Sequence, residues 1–290
     1  MTMDWLNIIV QGVLVGGLYA MFATGLALIF GVMRLVNIAH GDFIVLAAFI
    51  ALGLVKALDW HPFVVLPIVA VLMFMLGYGL QRALLNRTLG PDILPPLLVT
   101  FGLAILIQNG LLEAFTADAR SLQIGSLQTA SLNLSSTLAV GWFPLIVFGV
   151  AVALTFGVHQ LFNRTSIGMA LRATSDDPAT AGLMGIRAHH VYGLALGLSF
   201  ALVAVGGVFS GIRTTFTPDA GPLSLLYAFE AVVIGGLGSL WGTFAGAVIL
   251  GVAQSIGAKI DAGLGILFGH LVFLAVLLFK PNGLFAGSKS

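Results

Sequence analysis

Cysteine is absent and charged side chains are scarce, at 8% of the residues. The first absence excludes disulfides, thiolate nucleophiles and cysteine-held metals. The second excludes an ordinary soluble fold, in which about a quarter of residues are charged. Net charge is only +1, far from the basic excess that binding a phosphate backbone requires, so nucleic acid is not expected as a partner. No G-x-x-x-x-G-K-[ST] run exists to cradle phosphates; Gly287-Ser288-Lys289-Ser290 is the nearest, with the wrong spacing. Gly236, Gly238 and Gly242 miss a dinucleotide fingerprint by one residue and lie in an apolar stretch. No G-x-S-x-G elbow occurs, and the His–Asp neighbours (His40 with Asp42, Asp59 with His61) lack a placed nucleophile. His189 and His190 are adjacent, so on a helix they point about 100° apart. With no third ligand at suitable spacing, no metal is expected.

What remains is apolar. Hydrophobic residues make up 59% of the chain and its mean hydropathy is +1.09. Runs free of Asp, Glu, Lys and Arg cover 5–33, 60–81, 93–112, 121–163, 188–212, 231–258 and 262–279. A bilayer-crossing helix needs roughly 20 such residues, and inside lipid the backbone must satisfy its own polar groups. The weak alternation of a membrane β-barrel is missing. The expectation is an all-α polytopic transmembrane bundle of about seven to eight spans, in one membrane domain covering 1–290. Its spans are 6–31, 42–57, 63–81, 96–115, 142–162 and 190–211, a glycine-broken segment 227–257, and 264–280. The start, Met1-Thr2-Met3-Asp4, lacks the basic region of a signal peptide, so the first run is expected to stay as a helix.

Basic residues orient the chain. Arg82 and Arg87 share one short connection, and Arg164, Arg172 and Arg187 share the segment 164–189. Placing both in the cytoplasm puts the N-terminus outside, with Asp4, Asp59, Asp118 and Asp219 against only Lys56, Arg120 and Arg213. A single span over 227–257 would then leave Lys280 and Lys289 outside, against the same rule. Glycines lower helix stability by about 1 kcal/mol each relative to alanine, and Gly235, Gly236, Gly238 and Gly242 crowd the middle of that segment. It therefore reads as a re-entrant pair of half-helices. Glycine is abundant overall, with 37 residues, and Gly12/Gly16, Gly193/Gly197, Gly207/Gly211 and Gly242/Gly246 form GxxxG pairs suited to close helix contact.

Two regions carry candidate function. In 164–189, Asp177 before Pro178 has the form of a helix N-cap with proline at the first position, and Gly185 suits the residue that closes the helix. The short helix Pro178–Met184 would be marginal alone in water, so the segment is either an ordinary structured loop or something held by a partner. Within the membrane, Asn37, His40 and Asp42 interrupt the first helical pair, and Glu230 precedes the glycine break. Such residues are functional candidates by default. Two interrupted segments, one in each half, mark a substrate site in secondary transporters, which adds the half-helix ends Gly235, Gly236 and Gly238 as translocation candidates. The bland reading of Glu230 is a carboxylate one turn into a half-helix, favoured by the dipole at its N-terminus. Gln108 and Asn109, mid-span, read as interhelical hydrogen bonds.

Four stretches, in order along nearly the whole chain, carry a family resemblance. They are Gly25-Leu26-Ala27-Leu28-Ile29-Phe30-Gly31-Val32-Met33-Arg34 leading to Asn37-Ile38-Ala39-His40-Gly41-Asp42; Arg172-Ala173-Thr174-Ser175-Asp176-Asp177-Pro178 through Ala181 and Met184-Gly185-Ile186; Glu230-Ala231-Val232-Val233-Ile234-Gly235-Gly236-Leu237-Gly238-Ser239 with Gly242 and Gly246; and Lys280-Pro281-Asn282-Gly283-Leu284-Phe285 with Gly287. An extra Ala286 before Gly287 is a small departure. This sequence resembles the H-type permease subunit of branched-chain (hydrophobic) amino-acid ABC importers. The resemblance implies an ABC importer permease fold in the bacterial inner (plasma) membrane and a heterodimer with an M-type permease. It also implies two cytoplasmic ATPase subunits, which use the ATP, and a periplasmic substrate-binding protein, with no cofactor on this chain. Segment 164–189 becomes the ATPase coupling segment, through Arg172, Asp176, Asp177, Pro178, Ala181, Leu183, Met184 and Gly185. Urea, short amides or aromatic acids are alternative cargoes within the family. A stand-alone secondary transporter or channel, driven by an ion gradient or by passive flow, is the rival from outside it, and the missing catalytic constellation argues against an intramembrane enzyme.

Overall fold

The computed structural model describes residues 2–90, 92, 94–133 and 139–285. Eleven α-helices appear among them, seven long and apolar enough to cross a membrane. These seven are α1 (Thr2–Met33), α2 (His40–Leu58), α3 (Pro62–Ala83), α4 (Leu94–Phe115), α5 (Trp142–Arg164), α8 (Ala188–Arg213) and α10 (Leu240–Ile260). Between them lie α6 (Ser166–Asp176), α7 (Pro178–Leu183) and the shorter apolar helices α9 (Gly221–Gly235) and α11 (Leu264–Phe279). α1 and α8 form the buried centre, whereas α3, α4 and α5 turn most of their apolar surface outward. Leu98, Phe101 and Leu106 on α4 are thus exposed as a lipid-facing surface requires.

Glycines set the central packing. A Cβ on Gly12 or Gly16 of α1 would collide with the backbone of α10 at Val252 and Val248. On the other side of α10, Gly242 and Gly246 meet α9 at Gly235 and Ala231. The pairings run in opposite chain directions, so α10 is antiparallel to both neighbours. Gly193 and Gly197 likewise admit Tyr78 and Phe74 of α3 against α8, and Gly207 admits the Ile44 carbonyl of α2.

The turn between α9 and α10 confirms a reversal of direction. Gly236 and Gly238 carry φ of 108° and 88°, values that a residue with a Cβ rarely adopts. Ser239 then caps α10 by accepting the Gly242 N–H at 3.1 Å. The tail closes this end: the Leu284 and Phe285 amides donate to the Ile234 and Gly235 carbonyls at 2.9 and 3.0 Å, meeting acceptors that the end of α9 leaves open. Lys280 therefore lies at the end of the bundle that holds the break; Ala286, Gly287, Ser288 and Lys289 fall outside the described residues.

Four boundaries differ from the sequence reading. α2 begins at His40, because the Asn37 side chain accepts the Ala39 N–H at 3.1 Å and turns the chain into the helix. α9 begins at Gly221 rather than 227, with Pro222 in its first turn. Segment 164–189 holds a second helix, α6, capped by the Thr165 hydroxyl on the Gly168 N–H at 3.0 Å. The outer segment 116–141 contains a small hairpin, Ser131–Asn133 with Ala139–Gly141, paired antiparallel at Leu132 and Val140. Before that hairpin, the Leu122 amide and the Gln128 side chain donate to the Gly211 and Ile212 carbonyls at the end of α8, at 2.8 and 2.7 Å.

Two predictions follow from this packing. Gly16→Leu should destabilise the detergent-solubilised chain by about 1–3 kcal/mol through overpacking. Gly79→Leu, where a side chain meets nothing within 4 Å, should leave thermal unfolding unchanged; equal effects would remove glycine packing as the cause. For sidedness, single cysteines at Lys259 and Lys280 should label from opposite faces of the membrane, Lys259 from outside. Labelling of both from one face would refute the hairpin.

Candidate functional site

The end of the bundle carrying Arg82, Arg87, Arg164, Arg172 and Arg187 is assigned to the cytoplasm, and there α7 projects. Asp177 accepts the Ala179 and Thr180 amides at 2.9 and 3.2 Å. The Thr180 hydroxyl, followed by those amides, holds the Asp177 carboxyl below the usual carboxylate range. At the other end Gly185, with φ of 83°, closes a Schellman turn. The Ile186 amide reaches the Ala181 carbonyl and the Gly185 amide the Gly182 carbonyl, at 3.1 and 3.0 Å. Ala181 is buried beneath, while Leu183 and Met184 stand 88% and 80% exposed. The cap and turn of α7 thus present two large apolar side chains to whatever lies below the membrane.

Arg172 and Asp176 do not join that patch. They line a cavity of about 360 Å³ on the same face, beside Gly31 of α1 and Gly238–Trp241 of the break. Arg172 donates to Asn163 at 3.3 Å, and the Ser175 hydroxyl donates to the Gly31 carbonyl at 2.6 Å. The segment therefore has an exposed apolar tip at α7 and a root on α6 that is bonded to the inner end of α1.

The intramembrane candidates are buried, at 0–2% exposure for Asn37, His40, Asp42 and Glu230. The ring Nε2 of His40 lies 2.9 Å from the Phe22 carbonyl of α1. Asp42, in the first turn of α2 where the helix dipole favours an anion, accepts from Gln108 of α4 at 2.8 Å. Gln108 is thus the interhelical bond expected of it. Asn109 instead bonds Ile105 within its own helix at 2.8 Å. Gly41 and Asp42 press against Gly221, so the first interruption abuts the start of α9. Glu230 requires a correction. It is the tenth residue of α9, nearer the C-terminal end, so the dipole at the N-terminus does not explain it. His270 Nδ1 of α11 hydrogen-bonds one of its carboxylate oxygens instead, and the other oxygen is buried without a partner.

A second cavity of about 270 Å³ opens at the opposite, outer end between α1, α2, α8 and α9. Phe22, Ile44 and Val45 form its apolar wall, and Tyr19, Arg213 and Tyr227 bring polar groups to it. Tyr19 stacks on Tyr227 with ring centroids 4.7 Å apart and donates its hydroxyl to Gln254 of α10 at 2.6 Å. None of the seven translocation candidates lines this cavity; Gly238 lines the inner one. Tyr19, Arg213, Tyr227, Gln254 and His270 escaped the sequence reading. A polar residue in each apolar run was the available signal for four of them, and Arg213 had been read only as a loop charge.

The model of the branched-chain amino acid transport system permease component matches residues 8–280. The chain belongs to that family. It is a multi-pass permease subunit of an ABC-type importer, of the inner (plasma) membrane. Similar proteins include the high-affinity branched-chain amino acid transport system permease protein BraD of Pseudomonas aeruginosa, 29% identical over 97% of this chain and 95% of that one. LivH of Escherichia coli K12, of the same description, is 27% identical over 94% and 93%. A probable LivH permease of Methanocaldococcus jannaschii is 26% identical over 96% and 92%. In fold, the permease is similar to a chain of PsaBC from Streptococcus pneumoniae in complex with Fab, with TM-score 0.51 and 14% identity over 97% of each chain.

The Glu230–His270 pair gives the permease a stability prediction. His270→Ala should destabilise it by about 1–3 kcal/mol, the cost of leaving a buried polar group unmet. Adding Glu230→Gln to that variant should recover part of the loss in a thermal unfolding assay. With Glu230→Gln measured alone as well, a double variant whose loss equals the sum of the two single losses would show that the pair is not coupled.

Proposed function

We propose that this permease forms half of a translocation pathway for branched-chain or other hydrophobic amino acids. An M-type permease supplies the other half, two cytoplasmic ATPases consume the ATP, and a periplasmic binding protein delivers the substrate. The chain itself holds no cofactor and no ATPase site. The observation that carries this reading is α7: a capped helix on the cytoplasmic face whose largest apolar side chains, Leu183 and Met184, contact water unless another protein covers them. The missing phosphate-binding run agrees with an energy source in trans. The names of the relatives and the apolar wall of the outer cavity support the cargo class, and they favour this reading over an ion-driven transporter acting alone.

Reconstitution of the whole assembly tests it. Leu183→Ser with Met184→Ser should cut leucine uptake and copurified ATPase by roughly tenfold, as expected for interface residues of hot-spot rank. Asp177→Ala should act in the same direction, less strongly, by loosening the start of α7. The chain alone in liposomes should show no uptake under an ion gradient. Full uptake by the double variant, or sustained uptake by the chain alone, would overturn the proposal.

A further inference from the structure

Among the described residues, the outer cavity has a charge without a counter-charge. Arg213 is the last residue of α8 and lines the cavity beside Tyr19, Ser210 and Tyr227. No carboxylate lines it. Among the described residues Arg213 takes part in neither of the salt bridges, which join Arg120 to Asp118 and His270 to Glu230. Asp42 is engaged by Gln108, and Asp219 is exposed and outside the lining. Arg213 is partly buried where it lines the cavity, and burial takes hydration from a guanidinium that no lining carboxylate replaces.

Tyr19 is fixed by its bond to Gln254 and by the ring of Tyr227. A fixed wall beside Arg213 lets its planar donor fork meet a carboxylate with two parallel hydrogen bonds. Phe22, Ile44 and Val45 stand ready for an apolar tail. We infer that Arg213 reads the carboxylate of a small apolar acid in the outer cavity. This rests on the reading that the chain passes hydrophobic amino acids, and it adds an asymmetry: the cavity recognises the acid end of its cargo and offers no carboxylate for the amine end.

The test uses the assembled transporter in lipid nanodiscs without its binding protein, so that selection by that protein plays no part. Saturation-transfer NMR is recorded with leucine, isocaproate (the acid without the amine) and isopentylamine (the amine without the acid). Leucine and isocaproate should give transfer and isopentylamine should not. Arg213→Met should weaken isocaproate binding roughly tenfold or more, the usual size of a hydrogen bond to a charged group. Arg213→Lys, which keeps the charge and loses the fork, should bind isocaproate less well than the unaltered protein and better than Arg213→Met. Isopentylamine binding as well as isocaproate in the unaltered protein would overturn the inference without any variant. Unchanged isocaproate binding in Arg213→Met, or in Arg213→Gln should the Met variant fail to assemble, would also overturn it. ATP-driven leucine uptake by the intact assembly separates the two ideas. Uptake without isocaproate binding would sink the Arg213 site alone. Isocaproate binding through Arg213 without leucine uptake would sink the cargo reading alone.

Discussion

The close approach of α10 to the backbones of α1 and α9 is the constraint on which the rest of the bundle depends. Lipid tails are as apolar as leucine, so helices in a membrane associate through packing and hydrogen bonds rather than expulsion of water. Gly12 and Gly16 let α1 lie on α10 at backbone distance, and Gly242 and Gly246 do the same for α9 on its other side. A three-helix stack with so little side-chain volume between its members leaves little room to slide. It also holds Tyr19 of α1 within reach of Gln254 of α10, which fixes one wall of the outer cavity.

The broken segment shows how an interrupted helix is kept inside such a bundle. A helix end in a dry environment exposes carbonyls that no water can meet. Here the tail residues Leu284 and Phe285 donate to the last carbonyls of α9, and Gly283 fits against Gly236 only because Gly283 has no Cβ. The tail motif around Pro281 and Gly283 is thereby part of the break it sits beneath. At the outer end, Leu122 and Gln128 play the same part for the last carbonyls of α8. The ends of α9 and α8 are thus capped by segments that look peripheral in the sequence.

The spans, the reversal at Gly235–Gly242 and the caps of α7 were legible, because each rests on a local signal: apolar length, glycine at positive φ, Asp-Pro before a helix. Thr165 is an equally local signal for α6, a hydroxyl cap one residue ahead of the helix. Glu230 was misread for a different reason. Its partner His270 lies 40 residues away on a helix whose only mark was one histidine in an apolar run, and no spacing rule links them. Arg213 was visible as a residue but not as a site, since whether it lies in water or against Tyr19 and Phe22 depends on how four helices converge.

α1 is where the two ends of the molecule meet. Tyr19 and Phe22 face the outer cavity, and Ala27, Leu28 and Gly31 face the inner one. At about 100° per residue these two sets lie on opposite faces of the helix. From Phe22 to Ala27 the rise is five residues at 1.5 Å, or about 7.5 Å, so a thin band of packed side chains separates the cavities along α1. The Ser175–Gly31 bond joins α6 to the inner end of this helix. Because the glycine contacts tie α1 to α10 and α10 to α9, α1 cannot move without carrying the break and the Tyr19 wall with it. One hydrogen bond and one close-packed stack thus connect α6, the neighbour of α7, with residues that line both cavities.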